Sequence, residues 1–482
     1  MKMLFAQENN FEWHGVSALS AILKREGFEV DIVCSPDVTE IVDAVEKYAP
    51  ALVGFHTITG QQTFAVEACQ AIKSRLPQVR TILGGPHATF FPRIIDRPGI
   101  DFVGINECDL PLTVLMRRLS EGGVTNNIPG IWAKDESGIH ENAPGMFVSS
   151  LDELPDCDRE LYLKYTGAYS NQFFLGRGCP FDCAFCFNVK SKEQFGKVKY
   201  TRYRSTDRVI SEIQRGVEIG GLKYIKFGDD TFALNRKLLR EFLPIYKEKI
   251  GLPFAASFRA ELMDDDLAML FKDAGCVFLG TGLECGDENR RGMILKKNVT
   301  NQQYLNSADS LKKAGIPIGT CNMLALPGET VEEGFQTIRM NIRMGVKMPW
   351  FSVFQPYPST SLEDLSRSML GVPQVDPEQF QADCHSQSLI KTDDARQLAN
   401  LHKFALFCVV MPWIIPAVRL LIKLPPNPIY TMIHRLGHVY TFYYYNERNL
   451  WRTVRLGLSF ELGKLHKVVA SLRPLFRQLR RS

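Results

Sequence analysis

The sequence has little that points to secretion or to membrane spanning. Residues 1–10 contain no apolar run of the kind that forms a signal peptide. The apolar stretch 404–418 is shorter than the ~20 residues of a spanning helix, and Pro412 and Pro416 interrupt it. Twelve cysteines without a secretory signal predict reduced thiols or metal ligands, not a disulfide framework. We therefore expect a cytoplasmic protein.

Acidic residues are scarce at one end of the chain. Residues 401–482 hold 13 Lys and Arg but only 2 Asp and Glu, although the whole chain has 57 basic and 53 acidic residues. The basic surplus is therefore local, and no base-reading motif accompanies it, so we expect no nucleic acid partner. With 45% apolar and 23% charged residues, the composition excludes wholesale disorder and a polytopic membrane protein.

Short apolar strands alternate with helical patterns in the first region, 1–145. Such alternation predicts an α/β fold with a doubly wound, Rossmann-like parallel sheet, whose ligands bind beyond the carboxyl ends of the strands. The predicted strands are 3–6, 28–33, 51–56, 79–83 and 100–104. Glycine and proline punctuate 121–170, with weak hairpin signals around 130–139. We take 146–170 as a connector.

A second alternating region, 171–356, contains six strand–helix units. This number predicts a partial (β/α)6 barrel of the TIM type, with its chemistry at the C-terminal ends of the strands. The predicted strands are 173–175, 224–227, 254–258, 277–282, 316–323 and 350–354. The remaining region, 357–482, is predicted to be mostly helical and basic.

The strongest chemical signal is the run from Gly176 to Cys186, with Cys179, Cys183 and Cys186 separated by three and then two residues. Three thiolates at this spacing can hold three corners of an iron–sulfur cubane. A structural zinc site needs four ligands, and the loop has no fourth Cys or His. Three buried, inert cysteines remain the alternative.

This run, placed after a strand and at the start of a six-unit barrel, resembles the radical S-adenosylmethionine superfamily. The resemblance implies a [4Fe–4S] cluster bound by Cys179, Cys183 and Cys186, with one iron left open to chelate S-adenosylmethionine. Reductive cleavage of the sulfonium would then give methionine and a 5′-deoxyadenosyl radical. Such chemistry needs an electron donor such as flavodoxin or ferredoxin.

Other strand ends match further motifs of that superfamily in order. The resemblance implies that two neighbouring carboxylates accept hydrogen bonds from the S-adenosylmethionine ammonium, and that an arginine and a serine hold its carboxylate and ribose. It also implies contacts from a glycine-rich segment with an acidic residue and from a backbone turn at the adenine. The implied cofactor-binding residues are Phe185, Gly228, Asp229, Asp230, Ser257, Arg259, Glu284, Leu326 and Pro327.

The doubly wound region in front of the barrel resembles the cobalamin-binding subfamily, which includes methyltransferases and the anaerobic magnesium-protoporphyrin ester cyclase. The resemblance implies cobalamin contacts from loops at the strand ends, where small residues let a flat corrin approach the backbone. The implied residues are Thr57, Gly84, Gly85, Pro86, His87 and Glu107. The chain has no Asp-x-His-x-x-Gly run, so we expect no histidine from that motif on cobalt.

The sequence thus predicts a radical enzyme that acts on an unactivated carbon of a small-molecule or lipid-linked substrate, with cobalamin-dependent C-methylation favoured. A non-methylating cyclase or oxidoreductase is an alternative, and so is a cobalamin-binding sensor or adaptor without catalysis. Aromatic and basic residues after 404 also suit an anionic membrane surface. The C-terminal region is therefore a candidate for peripheral contact at the inner face of the membrane.

Overall fold

The structure is a computed structural model that describes residues 1–145, 147–195, 200–371, 374, 376–378, 380 and 393–445. The chain divides into two compact units. Of the described residues, the first contains 1–281, 288–318 and those within 355–380, and the second contains 282–287, 319–354 and 393–445. Each unit is built around its own parallel strands.

The N-terminal part of the first unit is a seven-stranded sheet. Its strands are β1 (Lys2–Gln7), β2 (Glu29–Cys34), β3 (Leu52–His56), β4 (Arg80–Gly84), β5 (Phe102–Gly104), β6 (Ile131–Asp135) and β7 (Gly138–His140). Their order is β2-β1-β3-β4-β5-β6-β7, with the first five parallel. The helices α1 (His14–Arg25), α2 (Val38–Tyr48), α3 (Gln62–Arg75), α4 (Pro86–Phe90) and α5 (Pro111–Glu121) connect them. The predicted Rossmann-like fold is confirmed.

Both faces of this sheet are buried, because successive side chains of a strand point to opposite faces. Leu4 and Ala6 of β1 pack into one core, whereas Met3 and Phe5 pack into another. The weak hairpin signal near 130–139 becomes β6 and β7, which extend the sheet because β6 pairs antiparallel with β5. The Rossmann-like sheet therefore includes this hairpin.

Further strands of the first unit follow. They are β8 (Gln172–Phe173), β9 (Gly176–Arg177), β10 (Arg202–Tyr203), β11 (Ile225–Phe227), β12 (Phe254–Phe258) and β13 (Cys276–Glu284), whose last three residues belong to the second unit. Parallel pairing joins β8 to β11, β11 to β12 and β12 to β13, while β9 and β10 form a separate antiparallel pair. These parallel strands bring the residues after β8, β11 and β12 to one edge of the sheet.

Twelve α-helices lie between residues 163 and 445 of the described chain. They are α6 (Leu163–Thr166), α7 (Phe187–Phe195), α8 (Thr206–Gly220), α9 (Arg236–Lys249), α10 (Asp265–Asp273), α11 (Glu288–Met293), α12 (Asn301–Lys313), α13 (Val331–Arg343), α14 (Ser361–Leu370), α15 (Asp393–Val410), α16 (Ile415–Leu421) and α17 (Pro428–Tyr445). The C-terminal region is helical where it is described, as predicted.

The second unit contains the parallel pair β14 (Ile318–Leu324) and β15 (Met348–Val353) with α13 and α15–α17. A capping box starts α13, because the Thr330 side chain accepts from the Glu333 amide and Glu333 accepts from the Thr330 amide. None of the helices within the described residues is both long and apolar enough to cross a membrane.

Candidate functional site

The cysteine loop starts from the short antiparallel pair of β9 and β10, in which Gly176 lies opposite Tyr203. A Cβ atom on Gly176 would lie 2.5 Å from the Arg202 carbonyl oxygen. Gly178 has a φ of 87°, and its Cβ would lie 2.5 Å from the Tyr200 oxygen. Both positions therefore require glycine. This close backbone packing fixes the position of the backbone that leads into Cys179.

The three thiols differ in their surroundings. Cys183 is buried, whereas Cys179 and Cys186 are half-buried. Burial raises the pKa of Cys186 to about 11 and also raises that of Cys179. The Arg259 guanidinium donates to the Cys183 sulfur at 3.4 Å. Because metal binding needs thiolates, cluster assembly must displace these protons.

The three cysteines supply only thiols as ligands, and thiolates are the usual ligands of iron in iron–sulfur clusters. Among the described residues, no three His, Cys, Asp or Glu side chains are arranged to hold one metal ion. A cubane instead places each thiolate on its own iron. The backbone also holds the middle of the loop, since the Ala184 amide donates to the Leu295 oxygen at 2.9 Å and the Leu362 amide donates to the Ala184 oxygen at 3.0 Å. The loop can therefore hold a three-cysteine cluster.

Arg259 and Ser257 lie at the end of β12. The Arg259 guanidinium lies 3.6 Å from the Phe181 ring centroid and pairs with Glu261 at 2.6 Å. Ser257 is exposed and stands opposite Gly280 in the sheet. The structure therefore places the predicted arginine beside the cysteine loop, with a positive charge next to the Cys183 thiol.

The two neighbouring aspartates after β11 have different partners. Asp229 accepts hydrogen bonds from the Leu175 and Gly176 amides at 3.1 and 2.7 Å, so both of its carboxylate oxygens hold the start of the cysteine loop. Its burial raises its pKa to about 7, against the effect of these backbone hydrogen bonds. Asp230 accepts from the Asn188 amide at 3.2 Å. Only Asp230 of the two borders the large cavity described next.

A cavity of ≈ 340 Å³ lies inside the first unit, in the size range of cofactor pockets. Its walls come from two sources. The strand ends and helix starts of the Rossmann-like sheet contribute His14, Gly15, Gly54, His56, Gly84, Gly85, Gly104, Asn106, Glu107 and Asp109. The region of the cysteine loop and β11 contributes Phe174, Gly176, Arg177, Gly178, Asn188, Tyr200, Gly228 and Asp230. The cavity thus reaches from the sheet to the residues that precede Cys179.

Glycine backbone forms part of this cavity wall. A Cβ on Gly84 would have no atom within 4 Å, so the missing side chain leaves open space there. The Thr57 amide and hydroxyl hold Gly84 in place by donating to its carbonyl at 2.8 and 2.9 Å. Gly85 has a φ of 93°, and its Cβ would lie 2.7 Å from the Thr57 oxygen. This geometry fits close approach of a flat ligand to the backbone.

The histidine predicted near the corrin does not line this cavity. His87 is completely buried, with Nδ1 3.2 Å from the Thr59 hydroxyl and Nε2 3.6 Å from a Glu378 oxygen. Pro86 begins α4 and borders a different cavity. Glu107 does line the large cavity, where it contacts Arg177 at 3.2 Å and Arg202.

Two other histidines, which the sequence analysis did not select, line the cavity instead. Burial lowers the pKa of His56 to about 4, and its ring lies 4.2 Å from that of Trp13. Burial and the charge of Arg177 lower the pKa of His14 to about 3. Both rings are therefore neutral near pH 7. A histidine at a strand end is a signal that could have found His56.

The remaining predicted residues fall in other places. Phe185 borders a second cavity, of ≈ 190 Å³, together with Ile58, Thr59, Pro86, Phe90, Phe187, Lys190 and residues 357–360. Glu284, Leu326 and Pro327 belong to the second unit. There Glu284 is buried with a φ of 65°, and the Leu326 amide donates to the Glu329 carboxylate at 2.9 Å.

Comparison with known proteins matches both regions. Residues 6–115 match the B12 binding domain and residues 173–340 match the Radical SAM superfamily. An uncharacterized methyltransferase of Pyrococcus horikoshii is 30% identical over 356 residues, covering 72% of this chain and 76% of that protein. The anaerobic magnesium-protoporphyrin IX monomethyl ester cyclase of Rubrivivax gelatinosus is 25% identical, covering 72% of this chain and 65% of that protein.

Solved structures share the fold. One is the cobalamin-dependent S-adenosylmethionine radical enzyme OxsB, solved with aqua-cobalamin, which has a TM-score of 0.67 at 14% identity. The match covers 96% of this chain and 75% of the OxsB chain. Another is the radical S-adenosylmethionine methyltransferase TsrM from Kitasatospora setae, solved with cobalamin and a [4Fe–4S] cluster, which has a TM-score of 0.63 at 18% identity. The match covers 78% of this chain and 79% of the TsrM chain.

The fold and the cysteine loop define a radical enzyme with a cobalamin-type domain in front of its barrel. The chain belongs to the radical S-adenosylmethionine superfamily, within the group that carries a B12 binding domain. The resemblance seen in the sequence is confirmed. The cofactors of this group are an iron–sulfur cluster, S-adenosylmethionine and cobalamin, and its members are enzymes.

Proposed function

We propose that the protein is a cobalamin-dependent radical methyltransferase that methylates an unactivated carbon of a small molecule. The observation that carries this proposal is the ≈ 340 Å³ cavity, because its wall includes both the Gly84 strand end and the residues leading into Cys179. A corrin held there would lie beside the cysteine loop. The methyltransferase named among the relatives supports the same reaction class.

In this proposal each residue has a defined task. Cys179, Cys183 and Cys186 hold the cluster, and Asp230 binds the S-adenosylmethionine ammonium. Arg259, already beside Cys183, binds its carboxylate by a charge-assisted fork. The bound cofactors supply an electron for S-adenosylmethionine cleavage and a transferable methyl group. Asp229 has a positioning task, because both of its oxygens hold the start of the loop.

The ≈ 190 Å³ cavity is our proposed substrate site. Its aromatic lining includes Phe90, Phe185 and Tyr357, and it also contains Lys190, which pairs with Glu193 at 3.0 Å. Phe185 lies between the cluster ligands Cys183 and Cys186 in sequence, so a substrate here would lie next to the cysteine loop. Apolar and aromatic walls suit a carbon-rich substrate.

The remaining partner assignments are also proposals. We propose an electron donor such as flavodoxin or ferredoxin, no nucleic acid partner, and a cytoplasmic, reducing setting in which an oxygen-labile cluster persists. We also propose peripheral contact of the C-terminal region with a membrane. The second candidate function is a non-methylating reaction, because one of the relatives is named as a cyclase.

Corrin retention tests the two-cofactor proposal directly. Protein purified without oxygen is reconstituted with iron and sulfide, mixed with hydroxocobalamin, and passed through a gel-filtration column. We expect about one corrin per chain by absorbance. A Cys183→Ala variant should lose iron but keep the corrin, since Cys183 does not line the large cavity. An iron–sulfur chromophore without corrin would contradict the proposal.

The products of S-adenosylmethionine distinguish methylation from the second candidate. Methyl transfer leaves S-adenosylhomocysteine, whereas reductive cleavage leaves 5′-deoxyadenosine and methionine. We expect the reduced, corrin-loaded enzyme to form both products, measured by mass spectrometry with S-adenosylmethionine labelled in its adenosyl group, which both products retain. Formation of 5′-deoxyadenosine alone, with no S-adenosylhomocysteine, would favour a cyclase or oxidoreductase.

A further inference from the structure

The second unit exposes several large apolar side chains. Trp413 is 78% exposed and Leu420 is 68% exposed, although such residues normally pack inside a protein. We define the apolar surface by its exposed members, which are Trp413, Leu420, Leu424, Ile429, Met432, Leu436 and Val439. Exposed apolar residues at this density mark an interaction site more often than scattered single residues do.

Helix α17 supplies four of these residues in a regular pattern. Ile429, Met432, Leu436 and Val439 follow one another at steps of three and four, so they share one face of the helix. The opposite face packs within the unit. There the Tyr430 hydroxyl donates to the Leu421 oxygen at 2.7 Å, and the Tyr430 ring lies 4.8 Å from that of Phe404. The helix therefore packs within the unit on one side and exposes apolar side chains on the other.

The charge around this surface indicates what covers it. Residues 401–445 contain Lys403, Arg419, Lys423 and Arg435 but no Asp or Glu. Within the second unit, Arg419 pairs with Glu332 at 2.8 Å, whereas Lys423 is exposed next to Leu424. Exposed apolar side chains next to Lys423, with a tryptophan exposed, match the interface of a bilayer with anionic headgroups.

We propose that the apolar surface docks in the interface of an anionic lipid bilayer, with α16 and α17 lying along it. The contact that we propose is peripheral. Trp413 and Leu420 enter the boundary between headgroups and acyl chains, and Lys423 stays among the headgroup phosphates. Burial of these side chains provides the affinity, and the cations provide the preference for anionic lipid.

Flotation of the full-length, cofactor-loaded protein with vesicles tests this docking surface. One set of vesicles contains phosphatidylcholine with phosphatidylglycerol, and the other contains phosphatidylcholine alone. We expect binding to the anionic vesicles that weakens as salt is raised. Binding should also protect the tryptophan fluorescence from acrylamide. Failure of the wild-type protein to float would overturn the proposal. The same result is expected if other residues of the chain cover this surface.

Matched variants locate the contact. Trp413→Glu combined with Leu420→Glu should reduce vesicle binding at least about tenfold, with unchanged corrin retention and thermal midpoint. The control is Met293→Glu, because Met293 is 73% exposed but belongs to the first unit. Vesicle binding that survives the double change would exclude this surface. A dimer in analytical ultracentrifugation that the double change disperses would assign the surface to a second copy instead.

Discussion

Arg177 and Asp109 form a bidentate ion pair, with Nη1 of the arginine 2.8 Å from Oδ2 of the aspartate and Nη2 3.2 Å from Oδ1. Arg177 stands two residues before the first cysteine, and Asp109 follows the end of β5 in the Rossmann-like sheet. Arg177 also contacts Glu107, which was predicted as a cobalamin contact. The pair thus connects the sheet to the cysteine loop, both within the first unit.

We expect Arg177→Lys to loosen the cysteine loop, because an ammonium cannot reproduce the paired N–H donors of the guanidinium. Loss of one charge-assisted hydrogen bond corresponds to about 1–3 kcal/mol of unfolding free energy. The measurements are the thermal midpoint and the iron bound per chain after reconstitution. Asp109→Asn should have a similar effect. The double variant should lose less stability than the sum of the losses of the two single variants. Strictly additive losses would show that the pair is not coupled.

The neighbouring aspartates give a matched pair of predictions. Asp229→Asn should lower the thermal midpoint by the equivalent of about 1–3 kcal/mol, because the amide turns one acceptor into a donor that faces a backbone N–H. Asp230→Asn should leave the midpoint nearly unchanged and weaken S-adenosylmethionine binding, measured by isothermal titration on the reconstituted protein. If Asp229→Asn affected only the affinity and Asp230→Asn only the stability, our assignment of the two carboxylates would be reversed.

The cysteine loop and its glycines were predictable because their information is local. Gly176, Gly178 and the three cysteines lie within eleven consecutive residues, and close backbone packing demands glycine there. The parallel folds were predictable for a similar reason, since each strand and helix pattern is local. What the sequence could not show is which distant partner a side chain takes.

Asp229 and His87 illustrate this limit. The pattern predicts two equivalent carboxylates after β11, but the amides of Leu175 and Gly176, more than fifty residues earlier, engage only Asp229. His87 follows a glycine pair at a strand end, as a ligand contact would. Contact with Thr59 and Glu378 nevertheless keeps it out of the large cavity. His56, which does line that cavity, is the last residue of β3, and its strand-end position was the signal that could have found it.

Gly84→Leu should block the corrin without damaging the fold. A Cβ at this position meets no atom within 4 Å, so the new side chain can extend into the open cavity space. We expect corrin retention to fall at least about tenfold, since filling a binding cavity removes the ligand's contacts. The control is Gly123→Leu, whose Cβ meets only an ordinary contact at 3.6 Å from the Arg118 oxygen. Unchanged retention in Gly84→Leu would place the corrin elsewhere.

A buried carboxylate on α8 gives the pH dependence of stability. Burial acts to raise the pKa of Glu212, but Arg159 and Arg204 outweigh it and lower the pKa to about 2. Arg159 lies 2.7 Å from this carboxylate, which is 2% exposed. A carboxylate with a lowered folded pKa stabilises the fold above its unfolded pKa of about 4.5 and loses that contribution as the pH falls towards 2.

Glu212→Gln should therefore cost about 3 kcal/mol at pH 7, and the difference from the wild type should shrink as the pH falls from 5 to 3. Thermal midpoints from circular dichroism across this range measure both effects. Glu218→Gln on the same helix is the control, because Glu218 is exposed and should shift the midpoint little at any pH. A constant difference between wild type and Glu212→Gln at all pH values would mean that packing, not ionisation, carries the contribution of Glu212.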